Sequence, residues 1–137
     1  MKPGTQKILE LTETRVRTLQ ALASELRDSF GALTKLDIQA IQEHTRRQQE
    51  LVDQIRGLDW QAAKLHTEAA GIDDDAAPAI RAVAIGLVRI QNEVRQLNRI
   101  QSQLLKGWRR SITPLLSLAG IYPAPSGRQT GMIEARG

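Results

Sequence analysis

The sequence predicts an all-α protein, an antiparallel up-down-up three-helix bundle of coiled-coil character, with a long, overhanging third helix and a flexible C-terminal tail. Three observations carry this prediction. Apolar residues recur at steps of three and four along most of the 137 residues, the spacing that lines one face of a helix. The apolar set is mostly Leu, Ile, Val and Ala, with only 3% aromatic residues, which suits helices packed on helices rather than a large aromatic core. The interruptions of the pattern, at 34–37 and 71–76, are too short to do anything but reverse the chain. No alternating strand pattern and no internal repeat is present, so residues 1–119 read as one bundle domain and 120–137 as a tail.

The first helix is expected over about 5–33. Leu9, Val16, Ala23 and Phe30 form one seven-spaced row, Leu19, Leu26 and Leu33 the other, and Leu11 and Leu22 widen the stripe. Gly31 or the turn Thr34-Lys35-Leu36-Asp37 should end it, with Asp37 capping the second helix. That helix is expected over about 38–70, with the stripe Ile41, His44, Gln48, Leu51, Ile55, Leu58, Ala62, Leu65 and Ala69. His44 and Gln48 mark either a polar layer in the core or a stretch where the stripe meets solvent. Gly57 is a weak point costing ~1 kcal/mol relative to Ala. Gly71 stops the helix, and Asp73-Asp74-Asp75 with Pro78 form the cap and first turn of the next.

The third helix, about 77–119, carries the strongest signal. One seven-spaced row reads Ile80, Leu87, Val94, Gln101, Trp108, Leu115, and the interleaved row reads Val83, Ile90, Leu97, Leu104, Ser111, Leu118. Ten of these twelve residues are apolar over five heptads, a coiled-coil seam. Pro114 removes a backbone donor and crowds the preceding turn, so a kink or break is expected between Arg110 and Thr113. At ~1.5 Å per residue this helix is longer than the second, and it should draw level with the start of the second near Arg110. The overhang and the turn before it carry Leu104, Leu105, Trp108, Ile112, Leu115, Leu116 and Leu118. Seven large apolar residues at a helix end call for a cover: a second copy of the chain, a fold-back of the tail, or a client protein.

Charge and composition narrow the function. The net charge is +4, distributed as −3 over 1–75, +6 over 76–119 and +1 over the tail. In the middle segment Arg81, Arg89, Arg95, Arg99, Lys106, Arg109 and Arg110 stand against Glu93 alone. A basic third helix beside an acidic pair suggests charge complementarity within the bundle. The alternative is a nucleic-acid surface, for which stacking aromatics are scarce. With no cysteine there is no disulfide framework or thiolate site. No window approaches ~18 apolar residues, so no membrane insertion is expected, and the first six residues lack the apolar run of a secretory signal. A cytoplasmic location is the economical expectation.

Catalytic chemistry is not expected. His44 and His66 lie on one helix about 33 Å apart by helical rise and share neither a metal nor a proton. There is no phosphate-binding glycine loop and no Glu-x-x-His pair, and Asp73-Asp74-Asp75 lacks the alternating ligands of a calcium loop. No cofactor or metal is therefore expected. Trp60 falls off the main stripe, as a half-buried residue at the edge of the bundle or as a partner contact. Trp108 is on the seam, as core filler or binding anchor. Tyr122, between Ile121 and Pro123 in a polar tail, has no core to join and suits docking.

The stretches 8–36 and 87–127, with Gln48-Gln49-Glu50-Leu51 on the second helix, together resemble the FlgN-type flagellar export chaperones. Leu97-Asn98-Arg99-Ile100-Gln101-Ser102-Gln103-Leu104-Leu105, then 115–118 and Tyr122 to Gly127, resembles the C-terminal pattern of that family. Two features depart from it: the Tyr122–Gly127 spacing is one residue longer, and Pro114 interrupts a region that is commonly smooth helix. The resemblance implies a cytoplasmic chaperone that binds the C-terminal helices of hook-associated (hook–filament junction) proteins and delivers them to the flagellar type III export gate and its ATPase complex. It implies a client grip over 104–118 and gate docking through Tyr122. Nucleic acid is not a partner in this reading. A homodimer is an open possibility, and a self-associating scaffold is the alternative.

Overall fold

The computed structural model describes residues 3–68 and 77–118, with side chains described at 3–65 and 77–110. All three elements are helices: α1 is Pro3–Lys35, α2 is Ile38–Glu68 and α3 is Ala77–Leu118. The chain divides into two compact units, Met1–Leu104 and Leu105–Gly137, with the boundary inside α3. The three-helix bundle is the first unit. Ion pairs of Arg15 with Asp59 and of His44 with Glu25 set α1 and α2 antiparallel. Ser29 beside Gln101, and Arg27 ion-paired with Glu93, set α3 parallel to α1.

α1 carries four threonines in its first half, a residue type that weakens helices through stiffness and competing hydrogen bonds. Three of the hydroxyls, those of Thr12, Thr14 and Thr18, donate to the carbonyls of Ile8, Glu10 and Thr14, four residues back, and stay within the helix. Leu19, Leu22, Ala23 and Leu26 of α1 pack with Ile90, Val94 and Leu97 of α3 as the buried core. Val16, Phe30, Leu51, Val52, Ile55 and Leu87 close its sides. Leu26, 1% exposed, is central, and burying such a side chain contributes about 1.5–3 kcal/mol. The expected Leu19–Leu26–Leu33 row is buried, whereas Leu9, Val16 and Phe30 of the other row are only half-buried. The α1 stripe therefore centres between the two rows, on Leu22 and Leu26. α2 gives up one fully buried apolar side chain, Ala62; the rest of its described stripe is half-buried.

The α1–α2 connection is two residues long and fully hydrogen-bonded. The Leu36 amide donates to the Leu33 carbonyl (3.3 Å) and the Asp37 amide to the Ala32 carbonyl (3.0 Å), the paired bonds of a Schellman ending. Leu36 takes φ 56° to make them, a left-handed conformation that costs a branched side chain roughly 1–2 kcal/mol. Asp37 Oδ1 then accepts from the Ala40 amide at 3.1 Å, the N-cap expected of it. Gly31 lies inside α1 rather than ending it. α3 also runs unbroken through Pro114 to Leu118, so of the kink or break expected there the break does not occur. Proline removes one hydrogen bond, and the flanking turns remain helical without it. Ala69, Ala70 and the tail 120–137 lie outside the described residues.

His44 and Gln48 form a polar layer, the first of the two expected alternatives. Gln48 and Gln101 exchange amide hydrogen bonds, each Nε2 donating to the other Oε1 at 3.1 Å. The Ser29 hydroxyl lies 3.0 Å from Gln101 Oε1 and 2.7 Å from the Leu26 carbonyl, its one proton shared between them. One turn away the buried Glu25 carboxylate meets His44 Nδ1 and, at 3.6 Å, Arg47 Nη1. All three helices thus contribute to one set of mutually satisfied polar groups.

Two expectations about stability arise from these contacts. Gln101→Leu strands the Gln48 amide and should cost about 1–3 kcal/mol, while Gln48→Leu with Gln101→Leu should be near neutral, because no buried group is then left unpaired; urea unfolding of the four-member mutant cycle measures both. Leu36→Gly removes the left-handed strain and should raise stability by about 1 kcal/mol; an unchanged or lower melting temperature would contradict that account of the turn.

Candidate functional site

Burial along the α3 seam peaks in the middle. Ile90, Val94 and Leu97 are buried against α1, and the flanking Ile80, Val83 and Leu87 are half-buried. Past Leu97 the seam turns polar at Gln101, and Leu104, the last residue of the first unit, is again half-buried.

In the second unit Leu105 and Trp108, three residues apart on one helix face, are both half-buried. The indole N–H of Trp108 is shielded from solvent yet has no acceptor among the described residues. A shielded tryptophan normally finds a partner for that donor, so Trp108 retains an unspent hydrogen bond. Lys106, Arg109 and Arg110 are exposed. Of the remaining expected binding residues, Ile112, Leu115, Leu116 and Leu118 are on α3, continuing its steps of three and four, with side chains outside the described residues. Tyr122 lies outside the described residues altogether, as does the arrangement of any overhang beyond Arg110.

The electrostatics differ from the expectation. Among the described residues, no carboxylate pairs with any of the seven cations of α3. The ion pair that joins α3 to the other helices runs in the opposite sense, from Arg27 of α1 to Glu93, the acidic residue of α3. Two carboxylates of α2 are held locally instead. Arg46 binds Glu43 at 2.5 Å and Glu50 at 3.0 Å, and Arg47 reaches Glu43 at 3.4 Å, partners three and four residues away on the same helix. Asp59 of α2 pairs with Arg15 of α1. Among the described residues, then, direct pairing within the bundle does not neutralise the cations of α3.

Two surface features lie off the main stripes. Trp60 is 66% exposed with Lys64 Nζ 5.4 Å from its ring centroid, a solvent-facing cation–π pair rather than a half-buried edge residue. Ile85 and Val88 on α3 are 50% and 55% exposed. Their signal was present as a second three-four row on the face of α3 opposite the seam, overshadowed by the stronger one.

No helix among the described residues is long and apolar enough to cross a membrane. No group of three metal-ligating side chains converges among them. A shallow depression at Asp37, Ala40, Glu43 and Arg46 is lined by the cap and first turns of α2, without an opposing wall to enclose a ligand. No protein-family model, curated protein or solved structure matches the chain.

One titration is fixed by the surface network. The hydrogen bond and charge of Arg46 hold the Glu43 carboxyl below its ordinary value of 4.5. A lowered folded-state pKa means that the contribution of this pair is present above the ordinary value and is lost as the pH falls through the lowered one. In Arg46→Ala, the Glu43 carboxyl should titrate back near its ordinary value in a carbon-detected NMR titration; an unmoved midpoint would show that Arg46 is not the cause.

Proposed function

We propose that this chain is a protein-binding chaperone of the flagellar export type. It holds hook-associated proteins by their C-terminal helices, prevents their premature assembly in the cytoplasm, and hands them to the export gate and its ATPase complex. The observation that carries the reading is the run of apolar residues on α3 after Gln101, where Leu105 and Trp108 are half-buried and the shielded indole N–H of Trp108 has no acceptor among the described residues. The resemblance to FlgN-type chaperones names the client class.

The physical mechanism is addition of a helix to an unfinished seam. An amphipathic client helix lays its apolar stripe against Leu104, Leu105, Trp108, Ile112, Leu115, Leu116 and Leu118, removing from water the surfaces that drive aggregation on both partners. Trp108 anchors this contact by area. No chemistry, cofactor or nucleotide is needed, and release follows when the gate competes for the client or for the tail around Tyr122. A self-associating scaffold would use the same seam, with a second copy in place of the client.

Trp108→Asp with Leu115→Asp should leave the helical circular-dichroism signal intact. It should weaken binding of a purified hook-associated C-terminal helix by at least ~100-fold, as expected for loss of two interface anchors. Titration calorimetry of both forms decides the matter. Undiminished affinity in the double variant would remove the site, and a wild-type chain that binds itself but no such helix would favour the scaffold.

A further inference from the structure

The outward face of α3, remote from the core seam, carries its own line of residues at steps of four and three: Arg81, Ile85, Val88, Asn92, Arg95 and Arg99. All six are exposed. The line lies within the first unit and spans about 27 Å of helix axis. Its three arginines have no carboxylate partner among the described residues; Arg95 donates only to the Asn92 side chain, at 2.8 Å. Two half-exposed aliphatics sit between cations that no carboxylate among the described residues neutralises.

We propose that this face is a second docking surface, whose occupant is an acidic amphipathic helix of a partner protein. The four-three spacing keeps the six positions in line along α3, so a straight partner helix can meet all of them at once. Two apolar side chains of that helix cover Ile85 and Val88, and carboxylates on either side of them meet Arg81 at one end and Arg95 and Arg99 at the other. Arginine suits the task because its planar fork binds a carboxylate in two places.

Other anionic partners fit less well. A nucleic-acid backbone would leave Ile85 and Val88 against hydrated phosphates, and the face offers no aromatic ring for stacking. A membrane surface would gain burial of only two branched aliphatics, short of what an interfacial helix needs. The proposal does not depend on the client site proposed at 104–118.

The test uses the full chain and a designed helical peptide of about 20 residues, with leucine at two central seam positions and glutamate at the flanking ones. The expected result is a set of amide shifts in ¹H–¹⁵N spectra centred on 81–99, with affinity falling as salt rises. Arg95→Glu with Arg99→Glu should weaken binding at least ~10-fold, and exchanging the peptide glutamates for lysines should restore it to that variant. An unchanged circular-dichroism spectrum shows that the variant is folded. Absence of binding, shifts confined to other faces, or indifference to the charge exchange would overturn the proposal. So would tighter binding to phosphatidylglycerol vesicles or a DNA duplex at the same salt.

Discussion

The reciprocal amide pair of Gln48 and Gln101 is the contact on which the arrangement of the bundle rests. An aliphatic seam with a seven-residue repeat is nearly degenerate: α3 displaced by one heptad would still present Leu, Ile and Val to α1. Such a displacement would put Val94 or Trp108 opposite Gln48, leaving a half-buried amide without its reciprocal partner, a cost of about 1 kcal/mol or more. Ser29 adds a second constraint from α1, and Glu25 with His44 and Arg47 adds a third between α1 and α2. The apolar groups supply the drive to pack, and the polar layer selects which packing.

That division explains what the sequence made legible. The three helices, their order and the cap at Asp37 came from periodicity and local chemistry, which act over a few residues. The seam of α3 identified its buried residues because a heptad row leaves little freedom about which face turns inward. The central line of α1 was less legible, because its stripe is broad and only the position of α3 decides between rows. Burial of Glu25 was invisible, since a lone glutamate on an apolar face gains its meaning from His44 and Arg47 on another helix.

The charge reading failed for a related reason. Net charge by segment records composition, not distance. Glu43 and Glu50 of α2 were already claimed by Arg46 and Arg47 on their own helix, and Asp59 by Arg15 of α1. The arginines at 81, 95 and 99 were left facing water, without a carboxylate among the described residues. Within the first unit, α3 thus presents an aliphatic seam inward and an arginine row outward.

The tight ending at Leu36 also shapes how the chain acquires its structure. Because only two residues separate α1 from α2, contacts such as Glu25 with His44 close over 19 residues, whereas Ser29 and Gln101 must meet across 72. The longer closure costs about 1 kcal/mol more in chain entropy, and contacts of low sequence separation form sooner. The α1–α2 hairpin is therefore the early-forming half, a template with one apolar side open, and α3 is recruited to it last. During synthesis the hairpin is complete before the arginine row has been made, so the nascent chain is an acidic hairpin that becomes a basic protein only as its third helix is added.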